Sequence, residues 1–451
     1  MEEQTQTPFE MRLSDVPSVP SPPLNLTYAT CIPSNGAVFT QSQQVRLPIN
    51  CPAEAFVDLK RAYMKFTIKN TSGKKQYLDP VVGGATVIDT WRVVGGTGAL
   101  LEEVQHYNAY YAMLKINDNH SVSSSLRHEM EGAATNSCLD LNCITGATEA
   151  VLGATGLTAV ANGDSRTITH RPASAFLNMD RYAPLGFCQG ITYIDITLCS
   201  NEMAMICAND QLGAGYEVSN FELHIPVLQP GPEFAGMFRS AMASGVPIQI
   251  HSVGVQNTQQ TITSTVGGSE TLTFSTRKRS VKSLVAAVRQ NAALTKNLAP
   301  SVSGFLNAGI TQYNWAVGGL RIPAQLIACS TTDKGELIAN TQQALGYYNS
   351  DLRGVDCISA LDAPKPLSLY YRTLADDVLG KNGKCFFAID LESYNASYAG
   401  KNLAGQGLPL VLHAQTGTGI QSVSAAIIDT FVIHDQMFVL EGQTGVMTVN
   451  A

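Results

Sequence analysis

The only two tryptophans of the chain stand in nearly the same phrase, "WRVVGG" at residues 91–96 and "WAVGG" at residues 315–319. The phrases lie about half a chain length apart in a sequence of 451 residues. Each combines a large aromatic residue, valine and a Gly-Gly pair, which is typical of a strand that ends in a turn. The repetition predicts two similar β domains in tandem.

Alternation of apolar and polar residues is the main local pattern of the chain. It is clearest in "YMKFTIKN" at residues 63–70, "ITYIDITLCS" at 191–200 and "FELHIPVL" at 221–228. A period of two places one face of a strand in a core and the other face in solvent. Many such strands, separated by turn residues, predict an all-β protein built from sandwiches or barrels.

Apolar residues at helical spacing occur in three windows. These are "ALLEEVQHYNAYYAMLK" at residues 99–115, "EFAGMFRSAMASG" at 233–245 and "KRSVKSLVAAVRQ" at 278–290. A stripe with this period is typical of a helix that packs on a core. We therefore expect a few short helices among the strands.

The sequence divides near its middle. In "VLQPGPEF", residues 227–234, a Pro-Gly-Pro run ends a strand and predicts a domain boundary near residue 231. We predict a first domain over residues 31–231 and a second domain over residues 232–451.

Two further matches follow the tryptophans. Each half has a Tyr-Tyr pair and then an Ile-Asp-aliphatic triplet, which begins at Ile194 in the first half and at Ile389 in the second. The spacing is longer in the first half, where residues 131–175 are rich in Ala, Gly, Thr and Asn and predict a long inserted loop. The matches favour a duplication; the alternative is two unrelated β domains that each bury one tryptophan.

Residues 1–30 differ from the rest in composition. The stretch "SDVPSVPSPP" at 14–23 contains four prolines, which excludes a helix and predicts an extended arm. Its start lacks the basic and apolar regions of a signal peptide, and its acidic character argues against condensation of a genome. The chain also has no apolar run of roughly 20 residues, so we expect no transmembrane segment.

The content of charged residues is low. Charged residues make up 14% of the chain, whereas a typical soluble domain has about 25%. Low charge is typical of surfaces that become buried in large permanent interfaces. The formal net charge of −7 argues against a general nucleic-acid-binding surface. The ten cysteines are scattered, and we expect reduced thiols.

No complete motif for a metal or a cofactor is present. "RHEMEG" begins like a zinc-protease helix at His128, but Gly132 stands where the second histidine is needed. Cys138 and Cys143 lack the second pair of ligands that a structural zinc site requires. We therefore predict no metal site and no cofactor site.

Asp195 and Asp390 are the candidate catalytic residues, because two carboxylates can share the work of hydrolysis. Each belongs to one of the Ile-Asp-aliphatic triplets. The alternative is that they are exposed strand residues, or residues paired to a turn. We favour the alternative and predict no catalytic residue and no enzymatic activity.

The only basic cluster comprises Arg277, Lys278, Arg279 and Lys282 in "STRKRSVKSL". Such a run is typical of a nuclear-localisation signal or of a contact with nucleic acid. The alternative is that these residues flank a packed helix and keep their charges in solvent or at an interface.

Six strings occur in a fixed order: "FELHIPVLQPGPEF", "RKRSVKSLVAAVRQ", "YNWAVGGLRIPAQLI", "CFFAIDLESYN", "LPLVLHAQ" and "DTFVIHDQMFVLEGQTGVMTVNA". In order and character they resemble the second half of double jelly-roll major capsid proteins. The closest resemblance is to those of polinton-like viruses and virophages, in the lineage that includes adenovirus-type and large algal-virus capsids. It covers most of residues 215–451 and, more weakly, residues 30–115.

The resemblance implies two tandem eight-stranded antiparallel jelly-roll sandwiches with a few short helices. It implies the major capsid protein of an icosahedral double-stranded DNA virus, located in the virion, with three copies in each pseudo-hexagonal capsomer. The expected partners are neighbouring capsomers, the penton and other minor capsid proteins, to which the N-terminal arm is a tether. We expect the chain to be short beside virophage capsid proteins, and only the loop at 131–175 is large enough for a surface tower.

Two other functions stay open from the sequence. One is a β-sandwich protein that binds or hydrolyses carbohydrate through Asp195 or Asp390. The other is a minor capsid or receptor-binding component.

Overall fold

The structure is a computed structural model of a chain made mostly of strands, with loops and a few helices between them. It describes residues 24–117, 124–134, 148–153, 156–210, 212–245, 247–262, 268–290, 302–305, 310–317, 319–329, 335–345, 385–392, 400–404, 407–414 and 426–450.

The strands are numbered in chain order. Those before residue 231 are β1 Leu24–Cys31, β2 Val38–Phe39, β3 Gln44–Ile49, β4 Phe56–Val57, β5 Tyr63–Asn70, β6 Gln76–Tyr77, β7 Ile88–Val94, β8 Leu100–Val104, β9 Ala159–Val160, β10 Ser165–His170, β11 Thr192–Leu198, β12 Ile206–Cys207 and β13 Tyr216–Pro230. Those after it are β14 Ile248–Ile262, β15 Gly268–Ser275, β16 Val281–Gln290, β17 Ile310–Val317, β18 Leu320–Ala328, β19 Phe387–Asp390, β20 Gly407–Ala414, β21 Ala426–Leu440 and β22 Met447–Asn450.

Helices are short and lie between the strands. They are α1 Tyr107–Asn117, α2 Ser124–Glu131, α3 Glu149–Gly153, α4 Asn201–Ala204, α5 Pro232–Ala243 and α6 Gly335–Ala344. Helix α5 confirms the window at 233–245. The window at 99–115 is confirmed only in part, because strand β8 occupies its first residues and helix α1 its last.

The four large sheets repeat one strand order twice. In the first half, the orders are β1-β13-β5-β10 and β3-β11-β7-β8; in the second half, they are β14-β21-β16-β19 and β15-β20-β17-β18. We call the strands of these four sheets principal strands: β1, β3, β5, β7, β8, β10, β11 and β13 in the first half, and β14 to β21 in the second. Numbered 1 to 8 in chain order within each half, they give the orders 1-8-3-6 and 2-7-4-5 in both halves, with antiparallel pairing. This is a jelly roll twice over, and the predicted fold class is confirmed.

The two tryptophans occupy equivalent positions. Trp91 lies on the fourth principal strand of the first half, opposite Ile196 and Val104 on its two neighbours. Trp315 lies on the fourth principal strand of the second half, opposite Leu410 and Ile322. Both indoles are fully buried. The shared phrase therefore marks the same place in two copies of one sandwich.

The Ile-Asp-aliphatic triplets are not equivalent, and this part of the predicted repeat was wrong. Asp195 lies on β11, the seventh principal strand of its half, whereas Asp390 lies on β19, the sixth. The two strands belong to different kinds of sheet. Short alternating strands share Ile-Asp-aliphatic patterns because one face is buried, whatever their place in the fold. The second Tyr-Tyr pair lies outside the described residues.

The predicted helix at 278–290 was also wrong, because residues 281–290 form strand β16. This strand pairs with β21 on one side and β19 on the other. Its apolar side chains are buried on both faces: Leu284 and Val288 pack in the core of the second sandwich, and Val285 packs in a cluster that includes the first. A strand buried on both faces has a continuous apolar run, which a helical period also fits.

Two other boundaries differ from the sequence expectations. The predicted loop at 131–175 contains strand β10, which pairs with β5 and places Ile168 in the core. Its composition resembled a loop because the outward residues of "SRTITH" are small and polar. The predicted arm at 1–30 overlaps strand β1, which pairs with β13 from Leu24 onwards.

Strand pairing respects the middle of the chain. Among the described residues, every ladder joins strands on the same side of Gly231. This supports the predicted division into domains over residues 31–231 and 232–451, which stays a prediction. One hydrophobic cluster nevertheless contains residues of both halves.

Candidate assembly surface

One part of the junction between the halves is made by an end of the sheet that contains β14 and β21. Phe438 on β21 packs edge-to-face against Phe176, with ring centroids 5.8 Å apart. Beside it, the Ser252 hydroxyl donates to the Ala175 carbonyl at 2.7 Å. The Gln436 amide donates to the Leu101 carbonyl at 2.8 Å. The second sandwich therefore rests on the start of strand β8 and on the segment that follows β10.

The first sandwich presents the matching end of its own sheet to solvent. Strand β1 is the edge strand of that sheet, and its outward residues Leu26 and Tyr28 stand opposite Leu228 and Pro226 of β13. Directly opposed residues of antiparallel strands share a face. We call the surface formed by Leu26 and Tyr28 with these two β13 residues the β1 face. Pro226 and Leu228 are themselves buried, so its exposed apolar side chains are Leu26 and Tyr28 on an open sheet edge, a feature typical of an association site.

Aromatic residues extend the apolar area beyond Leu228. Phe56, which stands opposite Leu228 on the other side of β13, contacts Phe234 and Phe238 of helix α5 and also Phe187. The helix begins with Pro232 after Gly231, a usual order for the start of a helix. Phe234 and Met237, three residues apart, are exposed on its outer side. Helix α5 thus carries apolar surface next to the β1 face.

Charged pairs border the β1 face along strand β5. Lys65 lies 3.7 Å from Glu222 on β13, and Lys69 lies 3.8 Å from Glu217. At the near end, Tyr63 stacks on His224 with ring centroids 4.8 Å apart. Opposite charges across neighbouring strands fix the register at modest energy. The surface is therefore apolar at its β1 end and charged at its β5 end.

Asp195 is neither exposed nor paired to a turn. It is buried on β11, where both of its carboxylate oxygens accept hydrogen bonds of 2.8 Å from Arg46 on the adjacent strand β3. Across the next strands, Arg92 of β7 pairs with Glu103 of β8. The four side chains form a row of alternating charge across the sheet, and the Asp195 carboxylate is held as an ion-pair partner.

Asp390 is paired to a turn, as one alternative predicted. Its Oδ1 accepts a hydrogen bond of 3.0 Å from the backbone N–H of Glu392. Asp195 and Asp390 belong to different sheets of different halves, so the structure does not bring them together. A shared hydrolytic role for these two carboxylates has no geometric support.

A buried polar network lies under helices α1 and α2. Tyr107 and Glu131 both hydrogen-bond the imidazole of His170, at 2.8 and 3.3 Å, and the Tyr111 hydroxyl donates to the same Glu131 oxygen. Burial by itself raises the pKa of Glu131, but the hydrogen bond and charge of His170 outweigh it and hold that pKa below the ordinary value. The network fastens α2 to strand β10.

A second buried carboxylate organises the segment that the junction uses. Glu102 accepts hydrogen bonds from the Ser174 hydroxyl at 2.5 Å and from the backbone N–H groups of Ala175 and Phe176, at 2.6 and 3.0 Å. Burial is the main influence and raises the pKa of Glu102. This carboxyl group sets the position of the Ala175 carbonyl and the Phe176 ring, to which the second sandwich binds.

The basic cluster is not one continuous patch. Arg277 and Arg279 are exposed, whereas Lys282 is paired with Glu392. Lys278 is partly buried, and this burial lowers the pKa of its ammonium group. The pKa of buried His434 is lowered to about 4, mainly by burial and then by the charge of Lys278. The cluster starts strand β16 instead of flanking a helix.

The metal-like motifs have ordinary structural roles where they are described. His128 Nδ1 is within hydrogen-bonding distance of the Ala133 carbonyl, at 2.9 Å, and of the Thr158 hydroxyl. Over the described ranges, no group of three or more histidine, cysteine or acidic side chains is placed to hold a metal ion. Cys138 and Cys143 lie outside them. No disulfide joins two of the described cysteines. Within the same part of the chain, no helix is long and apolar enough to cross a membrane.

Comparison with solved structures identifies the arrangement. The chain aligns with the capsid of the virus PBCV-1 at a TM-score of 0.59 and 9% identity, over 96% of this chain and 98% of that chain. It aligns with the structure of the Sputnik virophage at 0.55 and 11% identity, over 98% and 92% of the two chains. The Faustovirus major capsid protein gives 0.53 and 8% identity, over 94% and 92%.

The chain has a double jelly-roll fold. No family model matches the sequence, and no curated protein matches it. Identities of this size establish the fold alone. The alignments cover nearly the whole length of each chain in the comparison.

Sequence reasoning missed the β1 face. Leu26 and Tyr28 fall within the segment that the prolines assigned to an arm, although "LNLTYATC" alternates in the way a strand does. That alternation was the available signal. The alternation by itself does not show that the apolar side chains are exposed, because that depends on which strand β1 pairs with.

Proposed function

We propose that this protein is a viral major capsid protein that builds an icosahedral shell around a double-stranded DNA genome. The observation that carries the proposal is the duplicated jelly roll, with the same strand order in both halves. It is supported by the alignment of almost the whole chain with the structures of the PBCV-1 capsid and of the Sputnik virophage.

The duplication suits a trimeric capsomer. Three copies of a chain with two similar sandwiches supply six similar sides, so a trimer can occupy a hexagonal position in a shell. The chain supplies suitable surface in the apolar β1 face, the exposed side of helix α5 and a charge content of only 14%. The capsomer is a homotrimer in this proposal, and its neighbours are further capsomers, the penton and minor capsid proteins.

Such a protein functions by burying surface against neighbouring subunits and not by catalysis. Asp195 is committed to Arg46, and Glu102 and Glu131 hold structural segments inside the first sandwich. The formal net charge of −7 supports a shell that encloses a genome without general binding to it. We therefore propose a structural role in the virion, without enzymatic activity.

The test is the mass and shape of the purified protein. Size-exclusion chromatography with light scattering should give a species three times the chain mass of 48.2 kDa, independent of dilution in the micromolar range. Negative-stain images of that species should show hexagonal outlines. A monomer at every concentration would refute the proposal.

The carbohydrate-active alternative has its own measurement. Arg46→Ala frees the Asp195 carboxylate, and Asp195→Asn removes its charge. A glycan-binding or hydrolytic protein that uses Asp195 would lose glycan binding or hydrolysis in the second variant. A capsid protein should keep its trimer in both variants and bind no glycan through this residue.

A further inference from the structure

Two half-buried thiols, those of Cys51 and Cys188, lie on two loops of the first sandwich. Cys51 comes shortly after strand β3, and Cys188 follows the short helical turn Leu185–Phe187. The other described cysteines are buried. Among the described thiols, these two are therefore the ones that a reagent in solution reaches.

The backbones of the two loops are in direct contact. The Gly186 N–H donates to the Ala55 carbonyl at 2.9 Å, and the Gly186 carbonyl accepts from the residue before Ala55 at the same distance. A Cβ atom on Gly186 would lie only 2.4 Å from the Pro52 carbonyl oxygen. Cys51 precedes Pro52 and Cys188 comes two residues after Gly186, so the two cysteines flank this contact.

The two thiols are neighbours across the contact. The Cys51 thiol donates to the Ala55 carbonyl at 3.9 Å, the same carbonyl that accepts from Gly186, and the Cys188 thiol donates to the Pro184 carbonyl at 3.5 Å. Burial is the main cause that raises the pKa of Cys51 to about 11 and the pKa of Cys188 to about 12. The Cys51 thiol also contributes to the raised pKa of Cys188, an influence that requires the two sulfurs to be close.

Cys31 is a third thiol nearby, because it contributes to the raised pKa of Cys51. It ends strand β1, is 1% exposed and packs in the core of the first sandwich. A change in its position would disturb a close-packed interior. Cys51 and Cys188 instead lie outside the strands, where side-chain rotation can bring the sulfurs to a bonding distance of about 2.05 Å.

We propose that Cys51 and Cys188 form a disulfide when the protein meets an oxidant of the low-molecular-weight disulfide class. Both cysteines stay reduced in a reducing compartment. The inference goes beyond the proposed function, because the cross-link itself does not require a capsid. A particle that leaves a reducing cell is one setting in which this change of environment occurs.

The reaction takes two exchange steps. The Cys51 thiolate attacks one sulfur of the oxidant, which forms a mixed disulfide and releases one small thiolate. The Cys188 thiolate then attacks the Cys51 sulfur, which forms the protein disulfide and releases the second small thiolate. The two protein thiols together lose two electrons and two protons. The oxidant takes up both and ends as two small thiols.

The disulfide would fasten a segment that connects the two halves. Phe187 packs on Phe238 of helix α5, with ring centroids 4.6 Å apart, and the Gln189 N–H donates to the Gly445 carbonyl at 2.7 Å. Cys188 lies between these two contacts. A cross-link at this position restricts the unfolded chain and so stabilises the folded one. The oxidised protein is therefore the more stable form.

The first experiment maps the cross-link in the wild-type protein. The purified chain is incubated with oxidised glutathione, its remaining thiols are blocked with N-ethylmaleimide, and it is digested without reduction. Mass spectrometry should find a Cys51 peptide joined to a Cys188 peptide, and reduction should separate them. A link between Cys51 and Cys31, or a Cys51 that is still blocked by N-ethylmaleimide after prolonged incubation, overturns the inference.

The rate of the reaction gives a second test. The thiolate is the attacking species, and the raised pKa values make it scarce at neutral pH. Formation of the linked peptide should therefore accelerate about tenfold for each unit of pH between roughly 7 and 9. A rate that levels off near pH 8.5, about the ordinary pKa of cysteine, would contradict the assignment to this buried pair.

The third test measures stability with matched variants. Oxidation should raise the Tm of the wild-type protein by about 3–8 °C. Cys188→Ser should show no rise under the same treatment, whereas Cys31→Ser, which keeps both members of the pair, should show the wild-type rise. An equal rise in Cys188→Ser would assign the effect to another disulfide and overturn the inference. None of these measurements depends on a trimer, so a monomeric protein would refute the proposed function alone.

Discussion

At the scale of single residues, the buried carboxylates differ in what they stabilise. Glu131 is held as an anion by His170 and Tyr111, whereas Glu102 accepts three hydrogen bonds in a site where burial raises its pKa. A hydrogen bond to a charged group contributes about 1.5–3 kcal/mol to stability. An exposed pair is worth about 1 kcal/mol or less.

Glu131→Gln should therefore lower the free energy of unfolding by roughly 2–3 kcal/mol at pH 7, because His170 and Tyr111 lose a charged hydrogen-bond acceptor. Urea denaturation measures this loss. Glu103→Gln is the control, because Glu103 pairs with Arg92 at the surface, and it should cost less than about 1 kcal/mol. Equal losses in the two variants would show that the buried network contributes no more to stability than the surface pair.

The same residue predicts a dependence on pH. The folded pKa of Glu131 lies below the ordinary value, so its stabilisation is present above the unfolded pKa of about 4.3 and is lost as pH falls through the folded pKa. Wild-type protein should then lose stability more steeply than Glu131→Gln as the pH is lowered from 5 to 3. Parallel curves for the two proteins would contradict this account.

At the scale of elements, the turn after the first tryptophan strand depends on close backbone contact. A Cβ atom at Gly96 would lie 2.1 Å from the Gln189 carbonyl oxygen, whereas one at Gly95 would make ordinary contacts from 3.5 Å outwards. In the second half, Gly319 has a φ of +81°, a conformation that favours glycine. The glycines of the two phrases thus serve their turns for different reasons.

Gly96→Ala and Gly95→Ala form a matched pair that tests the turn. Gly96→Ala should lower the free energy of unfolding by about 1–3 kcal/mol, the usual cost of forcing an atom into packed structure. Gly95→Ala should change it by less than about 0.5 kcal/mol. Thermal denaturation of both variants measures the difference, and a tolerated Gly96→Ala would mean that the turn can move.

Strand β16 shows how an element's surroundings override its local pattern. Val281, Leu284, Val285 and Val288 fit a helical stripe, yet the segment lies between two strands with a packed layer on each face. A strand with one covered face would have alternated and would have been recognised. Helix α6 contacts this strand, and Val285 belongs to a hydrophobic cluster with residues of both halves, which no window of local sequence contains.

At the scale of the whole molecule, the halves share structure although they share no strand pairing among the described residues. Phe438 packs on Phe176, and one hydrophobic cluster extends across the junction. Shared burial of this kind couples the unfolding of two domains. The tryptophans report on the halves separately, since Trp91 is in the first sandwich and Trp315 in the second.

Single-tryptophan variants test that coupling. Trp315→Phe leaves an indole only in the first half, and Trp91→Phe leaves one only in the second. In each variant, the urea transition followed by fluorescence should coincide with the transition followed by circular dichroism at the same protein concentration. A fluorescence midpoint that separates from the overall transition would mean that the halves unfold independently.

The sequence by itself determined the all-β class, the strands with one covered face and the equivalence of Trp91 and Trp315. These follow from side-chain period and turn residues, which act over a few positions. Only the tertiary structure decided that β16 is a strand, that Asp195 is paired with Arg46 and that Leu26 and Tyr28 face solvent where Ile250 and Ser252 do not. Each of those outcomes depends on which distant segment covers a side chain, and that is a property of the folded chain and not of its local pattern.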